Sequence, residues 1–410
     1  TIVGSMLEWY DFYLYATMAS IVFAKVFFDT SDPGSASLKA FATFAIGFIA
    51  RPLGGLFFGY FGDKYGRKKM LFVTFLLMGL CTTAIGLIPT YESIGIWAAV
   101  LLVTFRIIQG LGAGAEFAGA AITSYEHASE DKRGSQGAWP ALGLNLGLLL
   151  SSLTVFLLTL NGDEFLINGG WRIPFVIGGV AALLSLAARS RLEETLSHED
   201  AKHEESGSLT ALLKQHWKTF LLVVGYTSAG SLTFYVVTVY SKTYLTNIGM
   251  DGKTVGFIMT TALFVFMLAQ PFFGMLSDRI GRRASMLAFS LLSAIFIYPV
   301  MVTGMRNFAD SPVIITLLLI FLMMLLSFYT SISGLVKAEM FPTHVRALGV
   351  GFSYAVGNAL FGGSAPSVAL LFKDAGIENS FFVYVIIMLI ICFFCSLALP
   401  KKPEYLEHDH

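Results

Sequence analysis

Apolar runs long enough to cross a lipid bilayer recur twelve times along this chain, separated by short polar or turn-forming breaks. A spanning helix needs about 20 mostly apolar residues. By that measure the runs fall at roughly 3–28, 38–62, 70–89, 96–126, 134–160, 171–188, 218–246, 252–277, 284–304, 312–338, 346–372 and 379–399. The breaks carry turn chemistry, as in Asp29-Thr-Ser-Asp-Pro-Gly34 and Asn161-Gly-Asp-Glu164. After the sixth run, Arg189–Lys218 is polar and charge-mixed and reads as a linker, with Leu209–Leu213 helical at the membrane surface. The pattern predicts an all-α membrane protein of twelve transmembrane helices in two six-helix bundles. Residues 1–190 form the first bundle, 191–217 a cytoplasmic linker, 218–399 the second bundle and 400–410 a cytoplasmic tail.

Composition agrees. Of 410 residues, 55% are hydrophobic and 13% charged, against about 25% charged in soluble domains. A soluble protein of this size could not cover that much apolar surface, so the lipid bilayer is its expected partner and solvent. Net charge is zero, which gives no field for binding nucleic acid. The three cysteines make no disulfide framework. Cys392 and Cys395 have CxxC spacing but sit in an apolar run without redox or metal partners, and read as helix packing. No metal-ligand cluster and no nucleophile–base set is legible, so the expectation is no metal, no cofactor and no enzymatic activity. No cleavable signal peptide is expected either, because no basic segment precedes the first run, which carries Glu8 and Asp11.

Charge in the breaks sets the orientation. With Asp63–Lys69 in the cytoplasm, eighteen Lys and Arg fall on that side and seven on the other. Both termini are then cytoplasmic, in a multi-pass plasma-membrane protein. Arg51 and Arg106 fall within runs.

One charged stretch occurs twice. Gly59-Tyr-Phe-Gly-Asp63-Lys-Tyr-Gly66-Arg67-Lys-Lys69 returns as Gly274-Met-Leu-Ser-Asp278-Arg-Ile-Gly281-Arg282-Arg283, with shared positions 215 residues apart. A second echo supports duplication: Glu126 with Arg133-Gly134, and Glu339 with Arg346-Ala347, are 213 apart. A fixed offset of half the chain marks one unit used twice. Neither copy is a phosphate-binding loop, because the glycine spacing differs and the Lys-Ser/Thr pair is missing. Both lie on the cytoplasmic rim, far from mid-membrane, and read as a latch. There Asp63 would cap a neighbouring helix N-terminus or pair with an arginine, Arg133 being the expected partner. Arg67, Asp278, Arg282, Glu126 and Glu339 complete the gating set.

The Gly59–Lys69 stretch resembles the signature loop of the major facilitator superfamily, and Arg282-Arg283 its second-half counterpart. Glu8-Trp-Tyr-Asp11-Phe12, Arg51-Pro-Leu-Gly54-Gly55, Arg106-Ile-Ile-Gln109-Gly110 and Trp171-Arg172-Ile-Pro174-Phe175 resemble its metabolite:proton symporter branch. That branch includes carriers of α-ketoglutarate, citrate, shikimate and proline or betaine. Gly230–Tyr235, Met259–Leu268, Ser327–Ser333 and Lys337-Ala-Glu-Met-Phe-Pro342 resemble the α-ketoglutarate permeases within it. The resemblance covers the whole chain. It implies the major facilitator fold, alternating access and proton coupling. The fifth run lacks the Gly-Pro pattern of the superfamily's antiporters, which favours symport.

An ionisable residue within a span costs at least about 2.5–3.5 kcal/mol and is functional by default. Five qualify: Glu8, Asp11, Arg51, Arg106 and Glu116. Two cations against three carboxylates leave one carboxylate without a fixed counter-charge unless it binds a proton, as a proton-coupled carrier requires. At 1.5 Å per residue, Arg51 lies about 18 Å above Asp63 and Glu116 about 15 Å above Glu126, near the midplane where transporter sites sit. Asp11, Glu8 and Glu116 are the proton-coupling candidates. Asp11 and Arg51 are expected to pair on the cavity wall, either in proton coupling or as a permanent bridge between helices. Glu116 lies among Gly110, Gly112, Gly114 and Gly119, which also mark close helix contact. Arg51 is favoured to grip a substrate carboxylate and Arg106 to organise the fourth helix, or the two roles are exchanged.

The second half has no obvious mid-span charge but many hydroxyls, and reads as the half that selects the substrate. Tyr235 and Asn358 are the stronger candidates because bulky polar tips need partners in a dry bundle, with Tyr240 beside them. The expected function is import of a small carboxylate with protons, driven by the proton gradient, most simply of α-ketoglutarate or a related dicarboxylate. The alternatives are a symporter of a zwitterionic osmolyte such as proline or betaine, and a membrane sensor that no longer transports.

Overall fold

A computed structural model describes residues 6, 7, 9–11, 14, 15, 18, 22–28, 31, 33–127, 133–134, 139–189, 202–203 and 206–399. Glu8, the tail at 400–410 and parts of the first run and of the 191–217 linker lie outside the described residues, as does the side chain of Glu116. Among the described residues every regular element is helical. The long helices are α1 (Pro33–Tyr65), α2 (Arg67–Leu87), α3 (Ile96–His127), α4 (Trp139–Thr159), α5 (Arg172–Arg189), α6 (Trp217–Tyr235), α7 (Gly252–Ile280), α8 (Arg282–Tyr298), α9 (Pro312–Thr330), α10 (Ser333–Met340), α11 (Arg346–Gly357) and α12 (Ser380–Leu397). Eight described stretches are long and apolar enough to cross a membrane, including Trp217–Asn247, Arg282–Asn307 and Pro312–Met340. Leu209–Gln215 is a short helix of its own, where the linker's apolar residues predict one.

Local chemistry explains where helices begin and end. The sequence reading starts the second run at 38, whereas α1 begins at Pro33. The turn signal there is a helix start: proline's fixed φ and missing N–H suit the first turn. Gly66 (φ 113°) separates α1 from α2, and Gly281 (φ 96°) separates α7 from α8. A residue with a β-carbon is strained at such angles, which accounts for the repeated glycine. Wide, π-type turns at Val236–Tyr240 and Asn358–Gly362 interrupt the second-half helices beside Tyr235 and at Asn358.

The chain divides into two compact units. One comprises residues 1–123, 146–209 and 343–352, the other 124–145, 210–342 and 353–410. In the first, α2 lies along α5 through small residues: a β-carbon on Gly79 would meet Ala182 and Leu183, and one on Gly86 would meet Phe175 and Val176. Its apolar core joins Leu14, Met18, Phe23, Phe27, Trp171 and Phe175. In the second unit α8 and α6 pack on α12, and α7 packs on α9. The ring of Tyr329 occupies the space a side chain at Gly230 would need. Large apolar side chains such as Phe257 (75% exposed), Leu184 (73%) and Phe272 (67%) point outward, the distribution expected where lipid replaces water as solvent.

Candidate substrate and proton site

In the first unit, charged and polar side chains from four segments converge on one recess. Asp11 from the first run, Gly47 and Arg51 of α1, Met78 of α2, and Arg106, Gln109, Gly110 and Ala113 of α3 line it, and the space among them, open solvent at its mouth included, is about 310 Å³. Asp11, Arg51, Arg106 and Gln109 are all at most 6% exposed. Buried charges persist only with partners, and the partners can be traced. Nη1 of Arg106 donates to Oε1 of Gln109 (3.1 Å), and Nε2 of Gln109 donates to Oδ2 of Asp11 (3.0 Å) and to Oγ1 of Thr82 (2.9 Å). The Arg106 guanidinium also lies 4.0 Å from the centroid of the Tyr15 ring, a cation–π contact. Arg51 lies beside the Trp9 ring, at 5.9 Å.

The expected direct pair of Asp11 with Arg51 is not what this geometry makes. The two line the same recess, but Asp11 is bonded to Gln109, which connects it to Arg106. Gln109, Thr82, Tyr15 and Gly47 therefore belong to the geometry of this recess, although the charge pattern did not single them out. For Gln109 a signal existed, since it sits three residues after Arg106 on one helical face. For Gly47 the reason is steric: a β-carbon there would stand 2.6 Å from Nη2 of Arg106.

The second-half candidates lie elsewhere, in the other unit. Tyr235 is half-buried and Asn358 buried at the start of its wide turn. Tyr240, expected among substrate ligands, instead donates its hydroxyl to Oε1 of Glu378 (2.8 Å). That hydrogen bond ties α6's continuation to the segment before α12.

The repeated loops form two matched clusters. Asp63, fully buried, accepts Nη1 of Arg67 (3.1 Å) and the backbone N–H groups of Ala347 (2.8 Å) and Leu348 (3.0 Å) at the start of α11. Arg67 also donates to the carbonyls of Gly62 and Thr343. A carboxylate at a helix N-terminus satisfies donors that the helix leaves open and meets the positive end of its dipole. In the other unit Asp278 accepts Nη1 of Arg282 (3.0 Å) and the backbone N–H of Gly134 (2.7 Å), while Nε of Arg282 reaches Glu339 at 3.3 Å. Gly134 and Ala347 are the equivalent positions of the second repeat. Each loop's aspartate thus caps the backbone that follows the Glu–Arg echo of the other sequence half. Glycines allow the approach, for a β-carbon on Gly59 would lie 2.5 Å from Cα of Leu348. Arg133, the expected partner of Asp63, lies over the Tyr125 ring at 4.0 Å and donates to its hydroxyl (3.2 Å). Asp63 takes Arg67, four residues on in its own loop. Glu126 is half-buried at the end of α3.

Two family models match this chain: the sugar (and other) transporter model over residues 1–210 and the major facilitator superfamily model over residues 221–409. The chain belongs to the major facilitator superfamily. This major facilitator is 44% identical to the α-ketoglutarate permease of Escherichia coli (strain K12) over 402 residues, covering 97% of this chain and 92% of that one. It is 35% identical to the shikimate transporter of the same strain (93% and 89% covered) and 35% identical to its proline/betaine transporter (90% and 75%). Its fold matches that of the proton:xylose symporter XylE at a TM-score of 0.80, with 17% identity and 99% and 97% of the two chains covered. The twelve apolar runs predict an all-helical membrane protein and the motif resemblance predicts the major facilitator fold, and the family and fold matches agree with both.

Proposed function

We propose that this transporter imports α-ketoglutarate or a closely related dicarboxylate together with protons, by alternating access. The observation that carries the proposal is Asp11. Its carboxylate lines a recess beside two arginines, Oδ2 is held by Gln109, and Oδ1 takes no hydrogen bond among the described residues. An acceptor left open in such a place is suited to binding and releasing a proton. Arg51 is the residue assigned to a substrate carboxylate, because it lines the recess beside Asp11 and a guanidinium can meet a carboxylate with two parallel hydrogen bonds. The relative named for α-ketoglutarate supports the substrate class. In this reading the carrier uses the proton gradient and no cofactor, catalyses no covalent chemistry, sits in a plasma membrane with both termini cytoplasmic, and has no nucleic-acid partner. Residues 1–190 and 218–399 act as its two six-helix halves.

The latch clusters are assigned to gating. Asp63, Arg67, Asp278, Arg282 and Glu339 hold the cytoplasmic ends of helices in this state and release them when the substrate is delivered. The second reading is a zwitterionic osmolyte, favoured by the proline/betaine relative. Uptake of labelled α-ketoglutarate into proteoliposomes under an inward proton gradient, competed with proline, betaine, citrate and shikimate, separates the two. α-Ketoglutarate is expected to enter and to be displaced best by itself. Entry of proline or betaine without α-ketoglutarate overturns the dicarboxylate assignment.

A further inference from the structure

Gln109 stands between the two charges on which proton coupling depends. Its Oε1 faces Arg106, and its Nε2 faces Asp11 and Thr82. An arginine has donors and no acceptor, so the amide oxygen must face Arg106 and the NH2 group must face the carboxylate. Arg106 thereby fixes the orientation of the amide, which at 4% exposed has almost no contact with solvent that could substitute for either partner. One consequence falls on Asp11. Oδ2 already receives an N–H, so a proton placed there would set two hydrogens face to face. Oδ1, which takes no hydrogen bond among the described residues, is the oxygen left for the proton.

We propose that Gln109 is the positioning residue of the proton site: it reserves Oδ2 of Asp11 for its amide, leaves Oδ1 to take up and release the proton, and separates Arg106 from a direct ion pair with Asp11. The proposal rests on the proton-coupled reading given above. Thr82 supports it by accepting the second amide hydrogen. A direct pair with Arg106 would hold Asp11 charged in every state, whereas an interposed neutral amide stabilises the charged form by one hydrogen bond and still lets it be neutralised. Among the described residues, the charged and titratable groups that interact with Asp11 are Tyr10 and Tyr15 on its own segment, Arg51 on α1, Cys81 on α2 and Arg106 on α3. Removing the amide leaves all of these in place, so its effect can be read separately.

The test is the external-pH profile of gradient-driven uptake in proteoliposomes for the wild type, Gln109→Leu, Gln109→Glu and Thr82→Val. Each profile is normalised to its own maximum, so lower expression or turnover does not move the midpoint. Gln109→Leu removes a donor to the charged carboxylate, so Asp11 keeps its proton to higher pH. The midpoint is expected to rise by about one pH unit, the scale of one hydrogen bond to a charged group. Gln109→Glu should raise it further, because a second carboxylate then faces Oδ2 and the pair must share a proton. Thr82→Val should shift it the same way by less, because the Thr82 hydroxyl also acts on Asp11, and Gln109→Glu decides the matter if the Leu variant fails to fold. Midpoints equal to that of the wild type, or Leu and Glu variants moving in opposite directions, overturn the positioning role. A wild type whose uptake ignores pH instead overturns the proton-coupled reading itself.

Discussion

At the scale of single residues, the recess concentrates its chemistry in Asp11 and the guanidinium–amide chain that reaches it. Asp11→Asn preserves shape but cannot cycle a proton. It is expected to retain counterflow of labelled substrate between the two sides while losing gradient-driven accumulation. Normal accumulation by Asp11→Asn would remove this residue from coupling. Gly47→Ala tests the steric side of the same site. Its β-carbon would stand 2.6 Å from Nη2 of Arg106, so the guanidinium must shift from its place beside Gln109 to admit it. Uptake should fall several-fold, with the protein still present in the membrane, and unchanged uptake would show that the position of Arg106 does not matter to transport. The presence of these residues was partly legible in the chain. Asp11, Arg51 and Arg106 stand out because charge inside an apolar run is costly. Thr82 and Gly47 do not, and Gln109 shows only as a neighbour of Arg106 on one helical face, because a neutral amide, a hydroxyl or a glycine in a helix is ordinary until its neighbours from other helices are known. The direct pair expected for Asp11 and Arg51 fails for the same reason, since opposite charge predicts attraction but not the amide that takes the carboxylate first.

At the scale of elements, the two repeated loops act as helix caps. Asp63 is fully buried with Arg67 and two backbone donors at the start of α11. Asp63→Ala would take the carboxylate from a buried guanidinium, which keeps the neutral carbonyls of Gly62 and Thr343, and the acceptor from two N–H groups, a loss of about 3–5 kcal/mol for one partner of a buried pair. Asp63→Asn keeps the shape but loses the charge, and should cost less. The thermal midpoint in detergent is expected to fall in the order Ala, then Asn, below the wild type. Asp278→Asn should fall by a similar amount to Asp63→Asn, since Asp278 caps Gly134 in the equivalent arrangement. A midpoint unmoved by either asparagine would remove these aspartates from the latch. The sequence shows the repeat, with Gly66 and Gly281 at equivalent positions in it. It cannot show which helix each aspartate caps, because the partner is more than 140 residues away and offers only its backbone. That is also why Arg133, a visible charge, is the partner the sequence suggests for Asp63, although its guanidinium stacks on Tyr125. Similarly, Tyr240 looks like a substrate ligand until Glu378 takes its hydroxyl.

At the scale of the whole molecule, the helical membrane architecture follows from the apolar runs and the family from a small set of motifs, while the cargo is assigned by proposal to a few polar groups in a recess. The large exposed side chains such as Phe257 and Phe272 are matched to lipid, so their replacement by aspartate should hinder insertion without altering substrate preference in whatever fraction inserts. The central claim is that carboxylate and proton move together in one direction. It is tested most directly by loading proteoliposomes with a pH-sensitive dye at equal pH on both sides, adding α-ketoglutarate outside, and recording internal pH beside uptake of the label. The interior should acidify as the label enters, and neither signal should appear with proline. Entry of label with no change in internal pH would contradict the account.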